Sequence, residues 1–304
     1  MTRPVSKMQA AAALGLDFWS ASCELKQLRE AMDAGAVGAY LDLCNVQETL
    51  EADPEVWLSV VDDLAHRHPD SKPEDLVWRL VNAMASGAAA MLEPVFRRTE
   101  GLHGLLCVHA DPGLARCEEL RAIAPNISIG VPVTQEGLVR MEGLLAAGAS
   151  VVATQGTSVS QALAAAEALE RGLNRAEASG LDILDLRPGV SLLVGAVADD
   201  PWTGIAVFKK ANSLFRERGY RSALVCAGHR DTLHWSQLIG EGVVACLSYA
   251  WWRCIEDLDP APAKTLDAPA QAPIPPEDPA PTAAALQRLS HSEQKLCERI
   301  KSRA

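Results

Sequence analysis

Asn126-Ile-Ser-Ile-Gly-Val-Pro-Val-Thr134 is the stretch on which the fold turns. Its apolar centre, Ile127 to Val131, reads as a buried strand. Gln135 to Ala147 then places apolar residues at helical spacing, and a further short apolar run, Ser150-Val-Val-Ala153, follows. Strand, helix and strand in that order point to a parallel sheet wrapped by helices.

The same alternation extends in both directions. Strand-like runs are Gly38 to Leu41, Gly104 to Val108, Val190 to Val194, Ala223 to Cys226 and Gly242 to Leu247, and Leu14 to Trp19 supplies one more. Helical spacing marks Glu24 to Ala34, Pro73 to Met91, Ser158 to Ala178 and Trp202 to Arg218. Eight strands with interleaved helices predict an α/β fold, a single (β/α)8 barrel over residues 1–256. Residues 257–281 are rich in Pro and Ala and read as an extended or mobile linker. Residues 282–304 read as a C-terminal helix packing on the barrel, with Leu286, Leu289 and Leu296 as a partial apolar stripe.

Composition narrows the function classes. With 304 residues, 48% of them hydrophobic, the chain can bury a large core. The net charge is −11, and no basic stripe or cluster is present, which argues against nucleic acid or an anionic membrane as partner. No apolar run approaches the roughly 20 residues of a membrane span. The Ala-rich stretch from Ala10 to Leu16 is broken at Asp17 and lacks a clean cleavage site, so no signal peptide is expected. The eight cysteines form no C-x-x-C pair; they read as reduced core thiols of a cytoplasmic protein, with no disulfide frame or zinc site.

Several blocks resemble the transaldolase family. Asn126 to Thr134 is similar to that family's N-V-x-I-K-I-P-A-T strand, with Gly130 in the place of its Schiff-base lysine. Ala90 to Gly104, Val108-His-Ala-Asp-Pro-Gly-Leu-Ala115, Gly148 to Thr154, and Phe208 to Tyr220 followed by Cys226-Ala-Gly-His-Arg230 resemble further family blocks in the same order. The resemblance implies a barrel and, in ordinary members, capture of a ketose by a lysine amine. Carried over residue by residue, it puts Trp19 at the family's strand-one aspartate, Asp42 at its strand-two asparagine and His109 at its strand-three glutamate. Val152 stands at an asparagine, Thr154 and Ser191 are retained, Ala196 replaces one phosphate arginine, and Arg230 keeps the other with His229 beside it. None of the eight lysines ends a strand-like run, so no Schiff base is expected.

The exchanges make the barrel mouth less polar. The expected site binds substrate with Trp19, Gly130, Val152, Ser191, Ala196, Arg230 and His229. Its proton chemistry is assigned to His109 as general acid/base, with Asp42 and Thr154 assisting. Other roles stay open: Trp19 is a plug or a platform, Asp111-Pro112 caps the following helix, Thr154 and Ser191 serve backbone groups, and Arg230 forms a structural ion pair. The leading expectation is a lysine-independent cyclisation, isomerisation or lyase/aldol step in specialised metabolism, on a small and rather apolar substrate, with no cofactor and no metal. A catalytically inactive binding partner is the alternative, and true transaldolase activity a third. Family members are often dimers or larger, which makes a homodimer the expected assembly.

Overall fold

The computed structural model describes residues 5–109, 114–259 and 261–302. In chain order the elements are α1 (Lys7–Ala12), β1 (Leu16–Ser20), α2 (Leu25–Asp33), β2 (Gly38–Leu41), α3 (Leu43–Ala52), α4 (Pro54–Arg67) and α5 (Pro73–Arg98). They continue with β3 (Leu105–His109), α6 (Leu114–Ile123), β4 (Ile127–Pro132), α7 (Gln135–Ala146), β5 (Val151–Gly156), α8 (Val159–Ala178) and β6 (Gly189–Leu193). A short 3-10 turn (Val194–Ala196) leads to α9 (Pro201–Arg218), β7 (Ala223–Ala227), α10 (Leu233–Ser236), β8 (Val243–Leu247), α11 (Tyr249–Glu256) and α12 (Ala280–Lys301).

The eight strands pair in parallel, each with its neighbours in sequence, and β8 closes on β1. This is a (β/α)8 barrel with a C-terminal helix. The strands read as nearly continuous apolar runs because both faces are covered. Alternate residues divide between two cores. Ile127, Ile129 and Val131 of β4, and Val151 and Ala153 of β5, join the large outer core between sheet and helices. Trp19, Leu105, Cys107, Val152, Val225, Val244 and Cys246 form a separate cluster inside the barrel. Such inward layers fill the centre of a barrel of this size.

Polar side chains fix where the helices start at the catalytic end of such a barrel. Asp42, Thr134, Ser158, Asp200 and Ser248 each accept a first-turn amide of the helix that follows. Among its described residues the Pro-rich segment turns at Thr265–Ala268 and is tied down there. Lys209 Nζ donates to the carbonyls of Thr265 (2.8 Å) and Ala268 (2.9 Å), Thr265 Oγ1 donates to Ser236 O, and Leu266 is buried. Helix α12 then crosses the C-terminal ends of the strands and packs on α3, α5 and β5.

Candidate functional site

A cavity of about 290 Å³ lies between the C-terminal strand ends and α12. Its floor is apolar: Trp19 from β1, Val152 from β5, Val225 from β7 and Cys246 from β8. The indole of Trp19 also borders a hollow of about 780 Å³ at the opposite end of the barrel, so this side chain partitions the barrel interior. It fits because β2 offers Gly38 beside it; a Cβ there would lie 2.5 Å from Trp19 Nε1.

The roof is α12, which turns Ala285, Arg288 and Leu289 toward the cavity. Both flanks of that stripe are anchored. Thr282 Oγ1 donates to the backbone oxygen of Gln155 (3.0 Å) and meets Thr157 Oγ1 (2.9 Å), and Gln161 Nε2 donates to it (3.0 Å). Ten residues on, Ser292 Oγ donates to Cys44 Sγ at 3.4 Å. Gln155 holds φ at +63° and lines the cavity, a conformation that costs a non-glycine residue of order 1–3 kcal/mol and is maintained only by its surroundings.

Asp42 lies on the cavity wall at the end of β2. Its Oδ1 accepts the Asn45 amide at 2.9 Å, while Asn45 Oδ1 accepts the Asp42 amide and Asn45 Nδ2 donates to Ala21 O, joining the ends of β1 and β2. Burial pushes the Asp42 carboxyl above its ordinary value. The amides of Asn45 and Cys44, the Tyr40 hydroxyl and the charge of Arg288 pull in the other direction. Tyr40 is held well above the usual phenol range by burial and then by the neighbouring Asp42. The thiols lining the cavity stay protonated at neutral pH: burial raises Cys246 to about 12 and Cys44 to about 11, with Asp42 adding to both.

His229 closes another part of the wall. It is buried, its Nε2 lies 3.5 Å from Cys226 Sγ, and its ring meets that of His234 edge-on. Burial, followed by His234, lowers its pKa from 6.5 to about 3, so the imidazole is neutral across the physiological range.

The residues singled out in the sequence fall into two groups. Trp19, Asp42, Val152, Ser191 and His229 line the cavity. His109, Gly130, Thr154, Ala196 and Arg230 do not. His109 is 3% exposed, and its Nδ1 shares a 2.8 Å hydrogen bond with Thr154 Oγ1. His109 on β3 pairs with Gly130 on β4, and Thr154 lies one strand further on, so the imidazole crosses the inner face of β4 at its glycine. A Cβ on Gly130 would sit 2.8 Å from His109 Cα, closer than Cβ atoms approach. Ala196 lies in the 3-10 turn, whose Gly195 abuts the side-chain stem of Arg230, an exposed residue. Asp111 and Pro112 lie outside the described residues.

Among the described residues the cavity is lined by β1, β2 and β5 to β8, and by neither β3 nor β4. None of the eight lysines lines it. Lys209, the most buried of them where side chains are described, is held by backbone carbonyls on the outer wall. Among the described residues no cluster of three His, Cys, Asp or Glu side chains has metal-binding geometry.

Sequence reasoning missed Tyr40, Asn45, Gln155, Ser248 and Arg288. Tyr40 was within reach, since it precedes Asp42 by two and so shares its face. Arg288 was not, because its place depends on how α12 crosses the barrel mouth.

A profile described as Transaldolase/Fructose-6-phosphate aldolase matches residues 59–304. The chain is similar to a transaldolase of Thermobifida fusca, 34% identical over 120 residues, covering 36% of this chain and 33% of the relative. A transaldolase of Kocuria rhizophila is 26% identical over 216 residues, 65% of this chain and 56% of the relative. One of Thiobacillus denitrificans is 29% identical over 201 residues, 60% and 55%. The matched part thus spans between a third and a little over half of these relatives' length.

Proposed function

The chain belongs to the transaldolase/fructose-6-phosphate aldolase family, and from the lining of its cavity we propose a reaction that does without a covalent amine: acid–base catalysis of a cyclisation, isomerisation or lyase/aldol step on a small, largely apolar organic substrate. The observation that carries the reading is the make-up of the cavity wall, which offers a half-buried carboxyl and phenol but, among the described residues, no lysine. A carbonyl substrate entering there meets no nucleophilic nitrogen able to form an imine.

Asp42 is the proposed proton carrier. Burial raises its pKa and so favours a role as proton donor to a developing oxyanion, while its carboxylate form is received by the Tyr40 hydroxyl and two backbone amides. A positioned acid of this kind contributes roughly 10²–10⁴-fold. Sequence alone gives this role to His109. Asp42 takes it here because it borders the cavity, whereas His109 and Thr154 stiffen the wall of β3 to β5 behind it. Ser191 and neutral His229 are proposed to orient substrate oxygens, and Trp19, Val152 and Val225 to shape its apolar body.

The competing reading, ordinary transaldolase turnover, is tested by a coupled assay with fructose 6-phosphate as donor and erythrose 4-phosphate as acceptor. The expected result is no transfer above the enzyme-free control. Transfer at a rate proportional to protein concentration would overturn the proposal.

A further inference from the structure

We infer that Arg288, on the roof helix, selects substrates that carry a single carboxylate on an otherwise apolar body. This deepens the proposed function and rests on its reading of the cavity as a substrate site. Arg288 is the one lysine or arginine lining the cavity among the described residues, and it makes no salt bridge among them. Its charge acts instead on Asp42 across the cavity wall. The guanidinium is thus the positive charge that an incoming ligand meets at the cavity wall.

Position strengthens the case. Arg288 belongs to the stripe Thr282, Ala285, Arg288, Leu289 and Ser292, whose two ends are hydrogen-bonded to β5 and to the start of α3, so its backbone is held in place. The side chain is exposed and also borders an outer groove with Glu48 and His291. The anionic end of a ligand would therefore sit at the cavity's exit, partly hydrated, with its apolar body over Trp19 and Val225. The wall matches one anionic group and no more. Arg230 lies elsewhere, Ala196 has no charge, and the N-terminus of α3 is already filled by Asp42. A lone guanidinium pairs in a planar, two-point manner with a carboxylate, whereas a phosphate dianion calls for more positive charge than this wall offers.

The test titrates the full chain with phenylacetate, its neutral isostere phenylacetamide and phenyl phosphate, in the wild type and in Arg288→Gln and Arg288→Lys. The wild type is expected to bind phenylacetate at least roughly tenfold more tightly than the amide. Arg288→Gln is expected to lose that preference while its amide affinity stays unchanged, and Arg288→Lys to retain part of it. Phenyl phosphate is expected to bind no more tightly than phenylacetate. An acid-over-amide preference that survives Arg288→Gln, a wild type without the preference, failure of the wild type to bind either probe, or tighter binding of phenyl phosphate would each overturn the assignment. None of these readouts needs turnover. Transaldolase activity in the coupled assay would remove the amine-free reading and leave the charge preference standing, and loss of the preference would do the reverse.

Discussion

His229 makes the stability of the cavity wall depend on pH on the acid side. Its ring titrates near 6.5 when the chain is unfolded and at about 3 in the fold. Between those values the unfolded chain binds the extra proton. The stability contributed by the neutral ring is therefore complete above pH 6.5 and is lost as pH falls toward 3. His234, which is also depressed, adds to the same acid limb. Urea unfolding at about pH 7 and about pH 4.5 is expected to show His229→Asn losing less stability over that interval than the wild type, by on the order of 2 kcal/mol. Equal losses in the two proteins would show that the ring is not held neutral.

Residue-level chemistry was only partly legible in the sequence. Asp42, singled out by its match to the family's strand-two asparagine, lines the cavity wall. The family resemblance singled out His109 and Thr154 as well, and the two are hydrogen-bonded to each other away from the cavity. What it could not reveal is that Gly130 leaves room for His109 to bridge to Thr154, filling that side of the barrel and displacing the open space toward β1, β2 and β5 to β8.

At the scale of elements, the strands and five of the helices are readable from apolar period, and the two helices between β2 and α5 are not. No helix was expected over Leu43–Ala52 or Pro54–Arg67, where Asp53 serves as the end of one helix and the N-cap of the next. Helix α5 was expected to stop near Met91 but runs to Arg98 through Pro94, losing the bond that the proline nitrogen would have donated. In α12, counting leucines singled out Leu286, which is only partly buried, and overlooked Thr282, Ala285 and Ser292, which face the barrel. Small and polar residues make this contact because it is a hydrogen-bonded one. Thr282→Val keeps the shape and removes the hydroxyl; it is expected to destabilise the protein by about 1–2 kcal/mol and to speed amide exchange in α12 relative to the strands. Unchanged exchange in α12 would show that the helix is held by its apolar contacts alone.

Across the whole molecule, the alternation of strands and helices was enough to give a closed parallel barrel, since eight such units have few other ways to bury both faces of their strands. The mouth is a different matter. It is assembled from strand ends far apart in sequence and a roof helix that follows a Pro-rich segment anchored by Lys209, so its charge and volume come only from the folded chain. The central claim is that no amine of this molecule captures a carbonyl in that cavity. Reductive trapping measures this directly: the full chain is incubated with dihydroxyacetone or fructose 6-phosphate, reduced with sodium borohydride, digested and analysed by mass spectrometry for adducts at each of the eight lysines. The expected result is an unmodified protein, or only the sparse labelling of exposed lysines that a denatured control also shows. A stoichiometric adduct on a single lysine, formed by the native protein and not by the denatured one, would contradict it.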